Sequence, residues 1–146
     1  MSVIQKNKET IIALYDNGFN KRDLQLFRDL ISPEYIGADG TKGAASFEAP
    51  IIALIKAMPD VQWKIQELLG EGEKVAVRWK AQGTQTALFN GFPATGRTVS
   101  SDGMAIFEFE AGKIMRITVQ TDRLGFLQQI DVLPADLSRI PGTATT

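Results

Sequence analysis

The chain contains neither histidine nor cysteine, and these two absences narrow its chemistry before any motif is considered. Without histidine, the commonest general base, the commonest transition-metal ligand and the serine–histidine pair are out of reach. Without cysteine, the chain offers no thiolate nucleophile, disulfide, cysteine zinc site or iron–sulfur ligation. Proton transfer must then fall to Asp, Glu, Lys, Tyr or ordered water. Two residues are candidates for catalysis: Asp122, at the end of a strand-like segment, and Tyr15, on a helix-like one. Each also has a plain structural reading. Thr121 reads as an N-cap with Asp122 as a first-turn carboxylate favoured by the helix dipole, and Tyr15 sits mid-stripe, where a core tyrosine with a satisfied hydroxyl is the commoner case. Asp39 lies in a glycine-rich loop and reads as a turn residue. No calcium loop, carboxylate cluster or glycine-rich phosphate loop is present, so no metal and no organic cofactor is expected.

The elements that would position such residues centre on Thr98 to Ile130. Apolar residues there recur at every second position, then the period changes, which predicts a strand, a tight turn at Glu110-Ala111-Gly112-Lys113, a second strand and a closing helix. Strict alternation puts Met115, Ile117, Val119 and Thr121 on one face of the second strand and Ile114, Arg116, Thr118 and Gln120 on the other. In the first strand Asp102 falls on the face opposite Gly103 and Ala105.

Upstream, Ile4, Ile11, Ile12, Tyr15 and Phe19 fall within one arc of a helix at about 100° per residue. Gly18 sits near the end of that helix, and Asp23 is a cap for a short second helix with Leu24, Phe27, Leu30 and Ile31 inward, stopped by Pro33. Glu34-Tyr35-Ile36 reads as a short edge strand. A third helix is expected from about Phe47 to Ala57, with Pro50 in its first turn. Val61, Trp63 and Ile65, then Val75, Val77, Trp79 and Ala81, alternate as strands about a turn at Gly70-Glu71-Gly72. The pattern is α+β: helices gathered on one side of a curved antiparallel sheet, enclosing a cone-shaped pocket.

A chain of 146 residues, 44% apolar, is long enough for one real core and too short for two. One domain is expected over residues 1–133, followed by a flexible tail over 134–146. With 16 basic and 17 acidic residues, and a formal net charge of −1, it shows no bias towards nucleic acid. No apolar run approaches a membrane span and the N-terminus lacks a signal-peptide core, so the expectation is a soluble, cytoplasmic protein.

Several stretches carry a resemblance: YDNGFNKRD closing the first helix, Ser32-Pro33-Glu34-Tyr35, Met58-Pro59-Asp60, GTQTALFNGFPATG from Gly83, FEFEAGK from Phe107 and DRLGFLQQ from Asp122. In this order and spacing the chain resembles the SnoaL-like polyketide cyclase or ester cyclase family, of the nuclear-transport-factor-2-like α+β barrel, over roughly residues 6–133. The resemblance implies an enzyme acting on a small apolar or polycyclic substrate in a hydrophobic pocket, and a homodimer formed through the open sheet face. Carried over by position, the family's acid/base aspartate falls at Val119, a histidine at Ile117, a polar residue at Ala105 and a further histidine at Ala38; all are apolar here. What remains is an enzyme using Asp122, Tyr15 or water, or a non-catalytic protein binding a lipophilic molecule. Tyr35, Trp63, Ala105, Phe107, Met115, Ile117 and Val119 are the expected ligand-binding residues.

Overall fold

The computed structural model describes residues 1–139, so residues 140–146 of the expected tail lie outside the described residues. Helix α1 spans Val3–Ala13, opened by Ser2, whose Oγ accepts the Gln5 N–H at 3.1 Å. The helix then widens into a π-helical stretch, Leu14–Asn20. A π turn shifts the angular phase of the residues after it, and the inward face becomes Ile11, Leu14, Tyr15, Gly18 and Phe19. Ile12, assigned inward by regular helical spacing, is instead exposed. Gly18 does more than sit near a helix end, because a Cβ there would lie 2.9 Å from Cε1 of Phe27, the buried anchor of the next helix.

That helix, α2 (Gln25–Leu30), has Leu24 at its N-cap and no side-chain cap, so Asp23 does not serve as one. Beyond it Ile31 turns extended and bridges Ile114, and Ser32 donates its N–H to the Ile114 carbonyl at 2.9 Å. The expected edge strand at Glu34–Ile36 reduces to one bridge, Ile36 to Lys42, closing a loop. Helix α3 spans Ala44–Ala57 and starts three residues earlier than expected, with Pro50 in its interior. The missing proline N–H costs one helical bond; Phe47 and Ala57 still hold the helix on the core.

Four antiparallel strands follow in chain order: β1 (Gln62–Glu71), β2 (Lys74–Thr84), β3 (Thr98–Glu110) and β4 (Lys113–Thr121). The first turn lies at Gly72-Glu73, one step later than expected. Gly70 stays in β1 opposite Val75, where its bare Cα admits Ile4 of α1; a Cβ would lie 2.7 Å from Ile4 Cγ2. The β3–β4 turn falls at Ala111-Gly112 as expected, both with positive φ (50° and 78°). Helix α4 (Arg123–Gln129) closes the chain's core. In β4 the alternation breaks, because pairing runs Glu108 to Arg116 and Phe109 to Ile114, leaving Met115 as the extra residue of a bulge. Ile114 therefore joins the inner face with Ile117, contrary to the strict alternation, and is fully buried.

Side-chain amides pair two open stretches of the sheet, one on β1 and one on β3. On the β1 edge, Asn20 accepts the Trp63 N–H at 2.7 Å and donates to the Trp63 carbonyl at 2.8 Å. Where β3 runs past the end of β4, Gln129 of α4 accepts the Ser100 N–H at 2.8 Å and donates to its carbonyl at 2.7 Å. Each amide makes the pair of bonds that a neighbouring strand would make.

Candidate functional site

The inner face of the sheet is a set of cross-strand rows. Val75, Phe107 and Ile117 form one, Val77, Ala105 and Val119 the next, Trp79, Gly103 and Thr121 the third. The pairing puts these residues on one side because partners in an antiparallel ladder share a face. Aromatic rings from the helices fill the narrow end: Tyr15 lies 4.6 Å from Phe19, 5.8 Å from Trp79 and 6.4 Å from Phe107, centroid to centroid. Phe19 in turn meets Trp63 at 5.1 Å, and Phe47 meets Tyr35 at 6.4 Å. Towards the β4 end the wall opens, Ile117 being half-buried and Val119 45% exposed.

Of the residues expected to bind a ligand, Ala105, Phe107, Ile117 and Val119 share this wall. Trp63, Tyr35 and Phe107 are buried within the aromatic core, and Met115 is displaced by the bulge. Of the catalytic candidates, Asp122 is itself the N-cap of α4, in place of Thr121: its Oδ1 accepts the Gly125 N–H at 2.8 Å. Tyr15 is 2% exposed, and burial drives its hydroxyl far above the usual phenol range, so it stays protonated and cannot act as a base. Tyr35 is raised too, by burial and then by the charge of Asp39. Asp39 is a turn residue as expected; bonds from the Thr41 N–H, the Thr41 hydroxyl and Ser46 hold its carboxyl below the usual range.

The sequence reading gave no site role to Trp79 or Gly103. The indole of Trp79 lies over the bare Cα of Gly103, where a Cβ would come within 2.2 Å of Cζ2. A glycine inside a strand is the available signal, since it marks a place where something must approach closely. Also missed were two buried polar side chains, Asn7 and Glu48. Nδ2 of Asn7 and Oε1 of Glu48 have no hydrogen-bond partner, although Glu48 lies 3.7 Å from Arg28. Among the described residues, no three His, Cys, Asp or Glu side chains are placed to hold a metal, and no helix is long and apolar enough to cross a membrane.

On the opposite face, Glu67, Leu69, Ala76, Arg78, Met104 and Ile106 line a shallow hollow of about 810 Å³, whose lining extends to Trp79, Gly103, Ala105, Thr121 and Asp122. Its floor is apolar, with Leu69, Met104 and Ile106 all well exposed, and charges of both signs rim it.

A four-stranded curved sheet with helices on one face and an apolar inner wall defines an α+β cone of the nuclear-transport-factor-2-like class. A family model for SnoaL-like polyketide cyclases matches residues 9–130, and the chain belongs to that family. The fold agrees with solved structures. A Jannaschia sp. CCS1 protein assigned as a SnoaL-like polyketide cyclase superimposes with a TM-score of 0.80 at 23% identity, over 92% of this chain and 97% of its own. AclR of Streptomyces galilaeus, assigned as a hydroxylase, gives 0.80 at 22%, over 90% and 99%. An Acidithiobacillus ferrooxidans protein assigned as a polyketide cyclase gives 0.77 at 26%, again over 90% and 99%. No curated protein matches the sequence.

Proposed function

We propose that this chain binds a small, apolar, polyketide-like ring molecule against the inner wall of β3 and β4, and holds it without supplying a proton-transfer group of its own. The observation that carries this reading is the pair Ala105 and Val119, opposite each other on β3 and β4, aliphatic where the family resemblance implies polar acid/base residues. Asp122 is engaged as a helix cap, and Tyr15 keeps its proton. Binding then rests on apolar burial, at about 25 cal/mol per Å². The relatives assigned as polyketide cyclases support the ligand class. A titration with an aromatic β-keto ester, combined with deuterium exchange at its acidic carbon, tests the reading. Saturable binding with exchange no faster than in buffer is expected; accelerated exchange by the unaltered chain would favour a cyclase-type enzyme using a group outside this pair.

For a partner, the same proposal seats a second copy of the chain on the outer face of the sheet. The apolar floor and mixed-sign rim there favour a self-complementary contact.

A further inference from the structure

A sheet edge invites another strand unless something blocks it, and the two edges of this sheet are blocked unequally. Along β1 the ladder carries a bulge between Ile65 and Glu67, Asn20 occupies the outward backbone groups of Trp63, and Lys64, Glu67 and Glu71 bring charge. On β4 the bulge sits at Met115, and the Ile31 bridge with the Ser32 N–H covers only Ile114. Beyond it, Ile117-Thr118-Val119-Gln120-Thr121 has no charge, no proline and no bulge, and Thr118 to Thr121 are all exposed. The direction of its backbone groups follows from the ladder. Asp122 donates its N–H to the Asp102 carbonyl at 2.9 Å. Alternate residues back from it, Gln120, Thr118 and Arg116, therefore bond to β3, and Ile117, Val119 and Thr121 turn their N–H and C=O groups outward. Among the described residues nothing bonds to those outward groups.

We propose that the free edge of β4 pairs with the β4 edge of a second copy of the chain, antiparallel about a two-fold axis at Val119. Such an axis sets Val119 against itself, Ile117 against the second copy's Thr121, Thr118 against its Gln120 and Arg116 against its Asp122. The outward groups of Ile117, Val119 and Thr121 then meet their counterparts as hydrogen-bonded pairs. The faces agree as well, because every pairing keeps inner residues with inner ones and outer with outer. Charge agrees at the ends. Arg116 makes no ion pair among the described residues, Asp122 uses Oδ1 alone to cap α4, and the axis brings the two together twice. Val119, 45% exposed on the inner wall, is covered by its own mate, so the apolar wall of one cone runs on into the other. This contact lies in the plane of the sheet and is separate from the apolar floor of the outer face. A short strand pair is marginal by itself, so the edge contact is weak and adds to the face contact at high concentration.

The test starts from Ile106→Lys, which places a charge in the outer-face floor and so isolates the edge. Sedimentation of this variant should pass from single-chain to double mass between micromolar and millimolar concentration. Adding Val119→Pro deletes the central outward N–H without touching a bond to β3; the doubly substituted chain should keep its circular dichroism and stay at single mass. Cross-linking reads the register. The chain has no cysteine, so Val119→Cys can form a disulfide only with its own mate. Opposed residues of a hydrogen-bonded pair lie about 5.5 Å apart, Cα to Cα, within disulfide reach. Mild oxidation of Val119→Cys in the Ile106→Lys chain at millimolar concentration should give covalent dimers roughly tenfold faster than Gln120→Cys, whose counterpart is Thr118. A single-chain mass up to millimolar concentration, a Val119→Pro chain that still pairs, or equal cross-linking at the two positions overturns the inference. If Ile106→Lys already has double mass at micromolar concentration, cross-linking decides alone: a preference for position 119 upholds the edge contact and its absence removes it.

Discussion

Asp122 shows how a residue that reads as chemistry in the sequence becomes architecture in the fold. Its carboxylate closes the first turn of α4 on the Gly125 N–H, and Gly125 must be glycine because a Cβ there would lie 2.3 Å from Oδ2. Asp122→Ala should therefore lower unfolding stability by about 1 kcal/mol in urea titrations and leave ligand affinity unchanged; lost affinity at unchanged stability would return Asp122 to the site. Val119 makes the complementary case. Val119→Asp places a charge in the apolar wall and should weaken binding of a ring hydrocarbon, whereas unchanged affinity would mean that Val119 does not line the site. Acid sensitivity belongs to this scale too. Asp60 accepts the Thr84 N–H at 2.7 Å and the Thr84 hydroxyl at 2.8 Å, and these bonds hold its carboxyl below the usual range. A depressed folded-state pKa stabilises the fold above the unfolded value, and that contribution disappears as pH falls through the folded one. The melting temperature of the wild type should fall more steeply below about pH 4 than that of Asp60→Asn; parallel curves would remove Asp60 from the acid response.

At the scale of elements, the β3–β4 turn is the place where local chemistry and geometry disagree. Ala111 adopts φ 50° ahead of Gly112 at 78°, the left-handed pair of a two-residue hairpin turn that favours Asn-Gly. Ala111→Asn should raise stability by roughly 0.5 kcal/mol, read as a higher urea midpoint at unchanged slope; a lower midpoint would mean that the hairpin is held by its strands alone. This turn was legible in the sequence, as were the strand alternation and the α+β order, because period-two burial writes itself directly into residue type. The departures all come from backbone irregularity, which leaves little trace in composition. Ile12 of α1 faces outward and Leu14, the first residue of the π stretch, inward, and the bulge at Met115 exchanged that residue for Ile114. Pro50 lies within α3 because the glycine-led turn at Gly43 starts the helix early. The inner wall was half legible: Ala105, Phe107, Ile117 and Val119 fall where the alternation and the resemblance put them, while the contact of Trp79 with Gly103 needs the register between two strands.

For the whole molecule, the outer face of the sheet poses the remaining question of assembly. Leu69, Met104 and Ile106 are 59%, 60% and 44% exposed there, on β1 and β3 with Ala76 of β2 between Leu69 and Ile106, and such a patch on a small protein marks a contact surface. Its rim alternates in sign: Arg78 pairs with Glu67 at 3.4 Å, Lys74 with Glu108 at 3.8 Å, and Lys80 lies opposite Asp102 in the strand register. A partner of a single charge sign would meet as much repulsion as attraction on that rim. A second copy related by a two-fold axis would set this mixed-sign rim against itself and cover the apolar floor on both sides at once. A stable pair needs roughly 800 Å² buried per partner, an area that a four-stranded face can supply. Sedimentation at micromolar concentration should give twice the chain mass for the wild type. Ile106→Lys should give the single-chain mass, because the new charge would be buried against its own symmetry mate. Residue 106 faces away from the inner wall, so the monomer should still bind the aromatic β-keto ester. A wild-type monomer would leave the apolar floor to a different partner, and a dimeric Ile106→Lys variant would move the interface to another face.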